Sequence, residues 1–169
     1  TNETIFDVAS VSKIIGTLPN VMQQYDQQKV NLESTLGSMV PIFANSDKKD
    51  IRFKELLSHY AGLVSWVPFY KATLDAKEKP LAKYYRKIAD SQFSKQVADS
   101  LFIRNDYHDT IMKIIVDSKL SVKKEYKYSD FTFIILKQYL EKTTGKALDQ
   151  LTDDNFYKSL GMNYTLYNP

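Results

Sequence analysis

Two segments of this 169-residue chain repeat apolar residues at helical spacing, and this periodicity constrains the fold more than any other feature. The first predicted helix covers residues 10–25 and the second covers residues 131–143. Pro19 lies inside the first, where it predicts a kink or a local adjustment, because proline lacks a backbone N–H. The apolar stripe of the first helix comprises Val11, Ile14, Ile15, Leu18, Val21, Met22 and Tyr25.

Shorter helices are predicted at residues 51–59, 81–89, 93–101, 107–117 and 148–160, and a packed loop at residues 63–70. Gly145 is placed to end the second long helix as its C′ residue. The chain has only five Gly and five Pro, fewer than the many tight turns of a β-sandwich require. No strand pattern stands out, so the sequence predicts a mainly α fold that forms a single domain over residues 1–169.

Composition excludes several classes of function. The net charge of +3 is too balanced, and the basic residues too scattered, to indicate nucleic-acid binding. The absence of cysteine excludes disulfides, thiolate catalysis and zinc–sulfur sites. No apolar run approaches the roughly 18 residues of a transmembrane helix, and the first residues do not resemble a signal peptide. Neither a metal nor a cofactor is expected.

Ser10 and Lys13 form an S-x-x-K tetrad at the start of the first predicted helix. Residues three apart share a helix face, so the Lys13 amine can reach the Ser10 hydroxyl. Serine needs an adjacent base to become a nucleophile. A lysine can serve once its pKa, ordinarily about 10.4, falls to about 7. Unpaired N–H groups at the helix start favour an oxyanion beside Ser10.

The tetrad alone does not establish catalysis. Ser46 with Lys49, and Ser121 with Lys124, have the same spacing, although both lie in polar connectors and only Ser10 opens an amphipathic helix. An ordinary N-cap role for Ser10 stays open at this point.

Tyr128-Ser129-Asp130 precedes the second long helix. A tyrosine there can point into a cleft and relay protons to and from a serine, and an aspartate can orient Lys13 or a substrate amide. The alternative is that Asp130 caps the helix and Tyr128 packs. Tyr107-His108-Asp109 fits the same loose pattern, so local chemistry does not choose between the two.

Four segments together resemble class C β-lactamase-like proteins of the serine β-lactamase and penicillin-binding-protein superfamily. Residues 6–13 (FDVASVSK) resemble the nucleophile box, and residues 51–63 (IRFKELLSHYAGL) resemble a segment in which His59 belongs to a structural turn. Residues 126–136 (YKYSDFTFIIL) resemble the tyrosine box, and residues 160–165 (LGMNYT) the stretch that follows it. They occur in the family's order and span nearly the whole chain.

The resemblance implies that Ser10 is the acylated nucleophile, that Lys13 helps to deprotonate it, and that Tyr128 shares in proton transfer. Asp130 stands where class C enzymes most often have Asn; its implied role is substrate binding. Lys142-Thr143-Thr144-Gly145 is not the family's third box, K-T-G, because it has an extra Thr and lies at a predicted helix end. The expected structure is therefore the helical part of the β-lactamase/transpeptidase-like (α+β) fold, truncated at both ends, with the flanking β-sheet largely absent and no activity alone.

For the parent protein, the resemblance implies acyl-enzyme hydrolysis of a β-lactam, a D-alanyl peptide or a small ester. The substrate is a small molecule or derives from peptidoglycan, and the location is the periplasm or cell envelope of a bacterium. Two alternatives remain: a non-catalytic binding or scaffold domain, which Asp130 favours, and an accessory module of a family 3 β-N-acetylglucosaminidase. The oligomeric state is not indicated.

Overall fold

The computed structural model describes residues 4–167 of the chain. Their helices, numbered in chain order, are α1 Leu18–Asp26, α2 Leu36–Met39, α3 Phe53–Leu57, α4 Tyr107–Asp117, α5 Asp130–Thr144 and α6 Leu148–Thr152. π-Helical segments cover Lys13–Thr17 and Asp153–Tyr157, and 3₁₀ turns cover Pro41–Phe43 and Phe69–Thr73. The strands are β1 Tyr85–Arg86, β2 Lys95–Ala98 and β3 Leu101–Ile103.

The chain divides into two compact units. The first unit contains residues 4–65 and 120–167, and the second unit is Trp66–Lys119. Within the first unit, α5 contacts α1, α6 and the π-helical segment Lys13–Thr17. Four apolar side chains of α5 are at most 1% exposed: Phe131, Ile135, Leu136 and Leu140. Burial of each such side chain stabilises the folded state by about 1.5–3 kcal/mol.

The sequence predicted α4 and α5 well because their apolar residues follow the helical period. Residues 107–117 were expected to be helical and form α4, and residues 131–143 lie within α5. Gly145 ends α5 with φ +70°, as its expected role as a C′ residue requires. A residue with a Cβ would be strained in this left-handed conformation.

The expected adjustment around Pro19 is confirmed. Pro19 occupies the first turn of α1, and the five residues before that helix form the π-helical segment Lys13–Thr17. Proline offers no N–H to the carbonyl one turn earlier, and the wider π turn, in which Leu18 N–H bonds to the Lys13 carbonyl, accommodates this loss.

The predicted apolar stripe of the first helix is largely wrong. Val21 is buried, but Val11, Ile14, Met22 and Tyr25 are half or more exposed. The inward face is instead mostly small or polar: Gly16, Thr17, Asn20 and Gln24. The Asn20 amide donates to the Gly16 carbonyl and to Thr152 of α6, both at 2.9 Å. These bonds make burial of an amide tolerable, and hydrophobic periodicity does not reveal them.

The second unit corrects the expected fold class. Its strands form a three-stranded antiparallel sheet in the order β1-β3-β2, with Tyr85 opposite Ile103 and Lys95 also opposite Ile103. The helices predicted at residues 81–89 and 93–101 are therefore wrong, and so is a mainly α chain with its sheet largely absent. Ser100, at φ +51°, turns the chain from β2 into β3. The β-branched and aromatic residues of 97–103 then pair as a hairpin rather than continuing a helix.

Candidate active site

Ser10 follows a strained turn. Ala9 has φ +43°, a conformation that residues with a Cβ rarely adopt, and its N–H donates to Asp7 Oδ1 at 2.8 Å. The Ser12 hydroxyl donates to the Ala9 carbonyl at 2.7 Å. Ser10 is left exposed at the start of the helical run. Backbone strain of this kind is concentrated at functional positions, and here it lies immediately before the candidate nucleophile.

Ser10, Lys13, Tyr128 and Asp130 converge in the first unit. Lys13 Nζ donates to Ser10 Oγ at 3.0 Å, and the Tyr128 hydroxyl reaches the same oxygen at 3.3 Å. Lys13 Nζ also forms an ion pair with Asp130 Oδ1 at 3.0 Å. That carboxylate oxygen is buried and has no other polar partner among the described residues. The four side chains that the sequence singled out thus lie within hydrogen-bonding or ion-pairing reach of one another.

The start of α5 positions Tyr128 and Asp130. Ser129, rather than Asp130, is the N-cap: its hydroxyl accepts from Phe131 N–H at 3.2 Å and donates to the Val64 carbonyl at 2.6 Å. The Asp130 N–H donates to the Ser65 carbonyl at 2.9 Å. Because Ser129 satisfies the helix terminus, the Asp130 carboxylate is available to Lys13.

The charge state of Lys13 differs from the one that the tetrad suggested. Burial lowers the pKa of Lys13, but hydrogen bonds and charge interactions with Tyr128 and Asp130 outweigh burial and raise it above its ordinary 10.5. The expectation of a depressed pKa is therefore wrong. That expectation took account only of burial and of a neighbouring positive charge, both of which lower the pKa of a lysine. The fold instead places a carboxylate beside Lys13, and a carboxylate raises this pKa. Lys13 is an ammonium ion at neutral pH.

A family model described as Beta-lactamase matches residues 1–169. The chain belongs to the beta-lactamase family. N-acetylmuramyl-L-alanine amidase of Bacillus subtilis (strain 168) is 30% identical over 98% of this chain and 34% of its own length.

Two solved structures share the fold. A class C beta lactamase from Rhodobacter sphaeroides superimposes with a TM-score of 0.61 at 15% identity, covering 95% of this chain and 35% of that one. D-alanine carboxypeptidase AmpC from Burkholderia cenocepacia gives 0.65 at 15% identity, covering 98% and 36%. Because each likeness covers 95% or more of this chain, the shared fold is not limited to its helices. The beta-lactamase family chain spans about a third of the curated relatives that it matches.

His59 is a neighbour of the site, although the sequence predicted for it only a place in a structural turn. Its backbone has φ +59°, and its ring centroid lies 4.7 Å from that of Tyr128. Burial and the Lys13 charge lower the pKa of His59, against an opposing effect of Asp130. Its place beside Tyr128 follows from tertiary structure, and no spacing rule links residues 59 and 128.

The other motif matches in this beta-lactamase family chain have different partners. Lys124 Nζ pairs with Glu55 at 2.6 Å, whereas the Ser121 hydroxyl donates to the Lys123 carbonyl. The Ser46 hydroxyl donates to the Phe43 carbonyl. Tyr107 is 4% exposed and donates to the Phe69 carbonyl, so it is a packed residue of the second unit.

Two further properties concern residues 4–167 alone. None of their helices is both long and apolar enough to cross a membrane. Their His, Asp and Glu side chains form no group of three that would hold a metal ion.

Proposed function

We propose that this chain carries the nucleophile of a serine hydrolase that forms an acyl-enzyme on Ser10. One observation supports the proposal above the others: Ser10 Oγ is reached both by the Lys13 ammonium at 3.0 Å and by the Tyr128 hydroxyl at 3.3 Å. An N-cap serine would instead bond to backbone N–H groups of its own helix.

In the proposed acylation, Tyr128 exchanges the proton and Lys13 supplies charge. The Tyr128 hydroxyl and the Lys13 ammonium both lie beside Ser10 Oγ. Ser10 Oγ forms a bond to the substrate carbonyl carbon while its proton passes to the Tyr128 oxygen, and the Tyr128 hydroxyl gives its own proton to the leaving nitrogen or oxygen. The bond between the carbonyl carbon and the leaving atom breaks as that atom is protonated. Water then attacks the acyl carbon, and Tyr128 relays a proton from the water to Ser10 Oγ. The bond between Ser10 Oγ and the acyl carbon breaks, and the acyl group leaves as the acid.

The backbone N–H of Ser10 is the proposed oxyanion donor within the described chain. It has no acceptor among residues 4–167, in contrast to the N–H of Val11, which donates to the Val8 carbonyl at 2.9 Å. A preorganised donor aimed at the developing negative charge is a large contribution to acyl transfer.

We assign Asp130 a role in substrate binding in addition to its ion pair with Lys13. An open depression of about 340 Å³ adjoins these two residues and is also lined by Phe133, Ile134 and Lys137 of α5. A carboxylate only accepts hydrogen bonds, so Asp130 suits a substrate N–H rather than a substrate carbonyl.

The proposed substrate class is an acyl amide or ester from a peptide of the bacterial cell wall. This follows the names of the relatives, an N-acetylmuramyl-L-alanine amidase and a D-alanine carboxypeptidase, both bacterial. A periplasmic or cell-envelope location is part of the same proposal. β-Lactams and small esters are the corresponding probes, since they undergo the same acylation.

A non-catalytic binding role is the second candidate, because Asp130 stands where class C enzymes most often have Asn, and its ion pair competes with Ser10 for the Lys13 ammonium. The discriminating variants are Ser10→Ala and, as a matched control, Ser121→Ala, which removes the serine of a tetrad paired elsewhere. An enzyme loses turnover of peptide and ester substrates in S10A but not in S121A. A binding domain retains its ligand affinity in both variants and shows no turnover in the unmodified protein.

Lack of turnover by the 169-residue chain alone stays a prediction. The chain spans about a third of its relatives, so we expect a β-lactam to acylate it more slowly than it acylates an intact family member. Acylation of the chain with a fluorescent penicillin at the intact enzyme's rate would contradict this.

A further inference from the structure

His59 holds three consecutive residues around the proposed proton carrier. Its carbonyl accepts from Lys127 N–H at 2.9 Å, its ring lies against Tyr128, and its Nδ1 accepts from Ser129 N–H at 3.2 Å. These contacts join residues about seventy positions apart. His59 thus contacts the backbone on both sides of Tyr128 and the Tyr128 ring itself.

We propose that His59 is a positioning residue, whose unprotonated Nδ1 and ring hold the Tyr128 hydroxyl within reach of Ser10 Oγ. The inference rests on the proposed role of Tyr128. It goes beyond that role because it makes the geometry of the phenol depend on the protonation of a group that touches neither Ser10 nor the substrate.

The chemistry of the contact requires the neutral ring. A backbone N–H can donate only to a nitrogen that carries no hydrogen, so the ring hydrogen resides on Nε2. Protonation places a second donor opposite Ser129 N–H and abolishes this bond. It also adds a positive charge near the Lys13 ammonium, which already disfavours the imidazolium.

The charged and titratable groups around the ring come from three parts of the first unit. Lys13 faces it from the π-helical segment, Tyr126 and Tyr128 from the connector before α5, and Asp130 from α5 itself. Phe133 of α5 completes the aromatic surround at 6.0 Å. Asp130 is the group that opposes the effect of Lys13, so its titration has to be distinguished from that of His59.

Two substitutions separate the acceptor from the ring. His59→Asn places an amide oxygen near the position of Nδ1, tolerates positive φ and does not titrate. His59→Phe keeps an aromatic ring against Tyr128 but removes the acceptor. His108→Asn is the matched control, because the chain has only two histidines and His108 lies in the second unit. The same variants assign the two imidazole signals in NMR spectra.

The test measures the rate of Ser10 modification by a fluorophosphonate across pH, together with the NMR titration of His59. In the unmodified chain and in H108N, the rate is expected to fall in acid with the midpoint of the His59 titration, below 6.5. This fall disappears in H59N, which keeps an acceptor but loses the ring, so its rate at higher pH lies between those of the unmodified chain and H59F. H59F loses about tenfold or more at every pH, because a misplaced catalytic group costs this much.

An acid fall that persists unchanged in H59N belongs to Asp130 or another carboxylate and overturns the proposal. So does an H59F variant that reacts at the unmodified rate. If the unmodified chain does not react at all, the proposed function fails in this chain, and a structural readout still decides about His59. Nuclear Overhauser effects between the Tyr128 ring and the Ser10 β-protons then persist in H59N and weaken in H59F if His59 positions the phenol. Equal effects in both variants refute it.

Discussion

The Ser10 half of the site is built within residues 7–13, whereas the Tyr128 half is anchored by contacts that span 65 and 70 residues. The first half depends on a local turn with Ala9 at positive φ and on the single helical turn that joins Ser10 to Lys13. The second half depends on Val64, His59 and a buried N-cap. The comparison separates reactivity from placement: the local half presents the nucleophile, and the long-range half sets where the proton carrier lies.

The largest effect is expected from Tyr128→Phe. Removing one hydroxyl from the long-range half is predicted to slow Ser10 acylation by about 10²–10⁴-fold, the usual contribution of general acid–base catalysis. Stopped-flow or gel-based labelling gives the rate, and circular dichroism checks the fold. Tyr126→Phe is the control, since Tyr126 is 61% exposed and its hydroxyl has no contact with Ser10. Equal slowing in both variants would remove Tyr128 from the chemistry.

Ser129→Ala tests the anchor of the same half. Ser129 is 1% exposed, and its loss removes the cap of the Phe131 N–H and leaves the Val64 carbonyl without the hydroxyl that donates to it. The free energy of unfolding is predicted to fall by about 1–3 kcal/mol, as for a lost N-cap with a buried unpaired group. Urea denaturation measures it. The control is Ser58→Ala, whose exposed hydroxyl bonds only to nearby helix carbonyls; a loss as large there contradicts the anchoring role.

Asp130→Asn tests the one ion pair that joins the two halves. The pKa of Lys13 is raised in the fold, so the pair's contribution to stability is complete below 10.5 and is lost as pH rises through the folded pKa. Without the carboxylate, the pKa of Lys13 falls, and the alkaline decline of both stability and acylation is expected to begin at lower pH.

Thermal unfolding and labelling across alkaline pH provide the measurement. Asp154→Asn is the matched control, because Asp154 pairs with Lys146 and Lys158, and these hold its pKa at about 2. An alkaline profile that shifts in D154N but not in D130N would show that the carboxylate does not control Lys13.

The smallest effect is expected from Ala9→Gly in the local half. Glycine adopts positive φ without steric cost, so the free energy of unfolding is predicted to rise by about 0.5 kcal/mol. Ala147→Gly is the control, since Ala147 has φ −62° and gains nothing from glycine. Chemical denaturation of the pair gives the answer. A9G less stable than A147G would mean that Ala9 is not strained.

The sequence predicted the parts of the structure that depend on local periodicity or spacing. The long helix α5, its end at Gly145 and the approach of Lys13 to Ser10 follow from the helical repeat alone. The hairpin of residues 95–103 was missed because its turn at Asp99-Ser100 lacks the glycine that marks most two-residue turns. The buried face of α1 was missed because Asn20 is satisfied by Thr152, 132 residues away.

The same limit applies to the site. The residue types were visible in the sequence, but the raised pKa of Lys13 depends on Asp130 and Tyr128, which tertiary structure brings to it. The contact of His59 with Ser129 has no counterpart in any sequence pattern. The sequence therefore predicts which residue types form the site, whereas the charge state of each group and the contacts that hold it in place depend on the fold.

The most direct test of the account is to treat the protein with a fluorophosphonate or a β-lactam and to locate the adduct by peptide mass spectrometry. The account predicts one modified residue, Ser10, and its loss in S10A but not in S121A. An adduct on a different serine, or equal modification of the S10A variant, would contradict it.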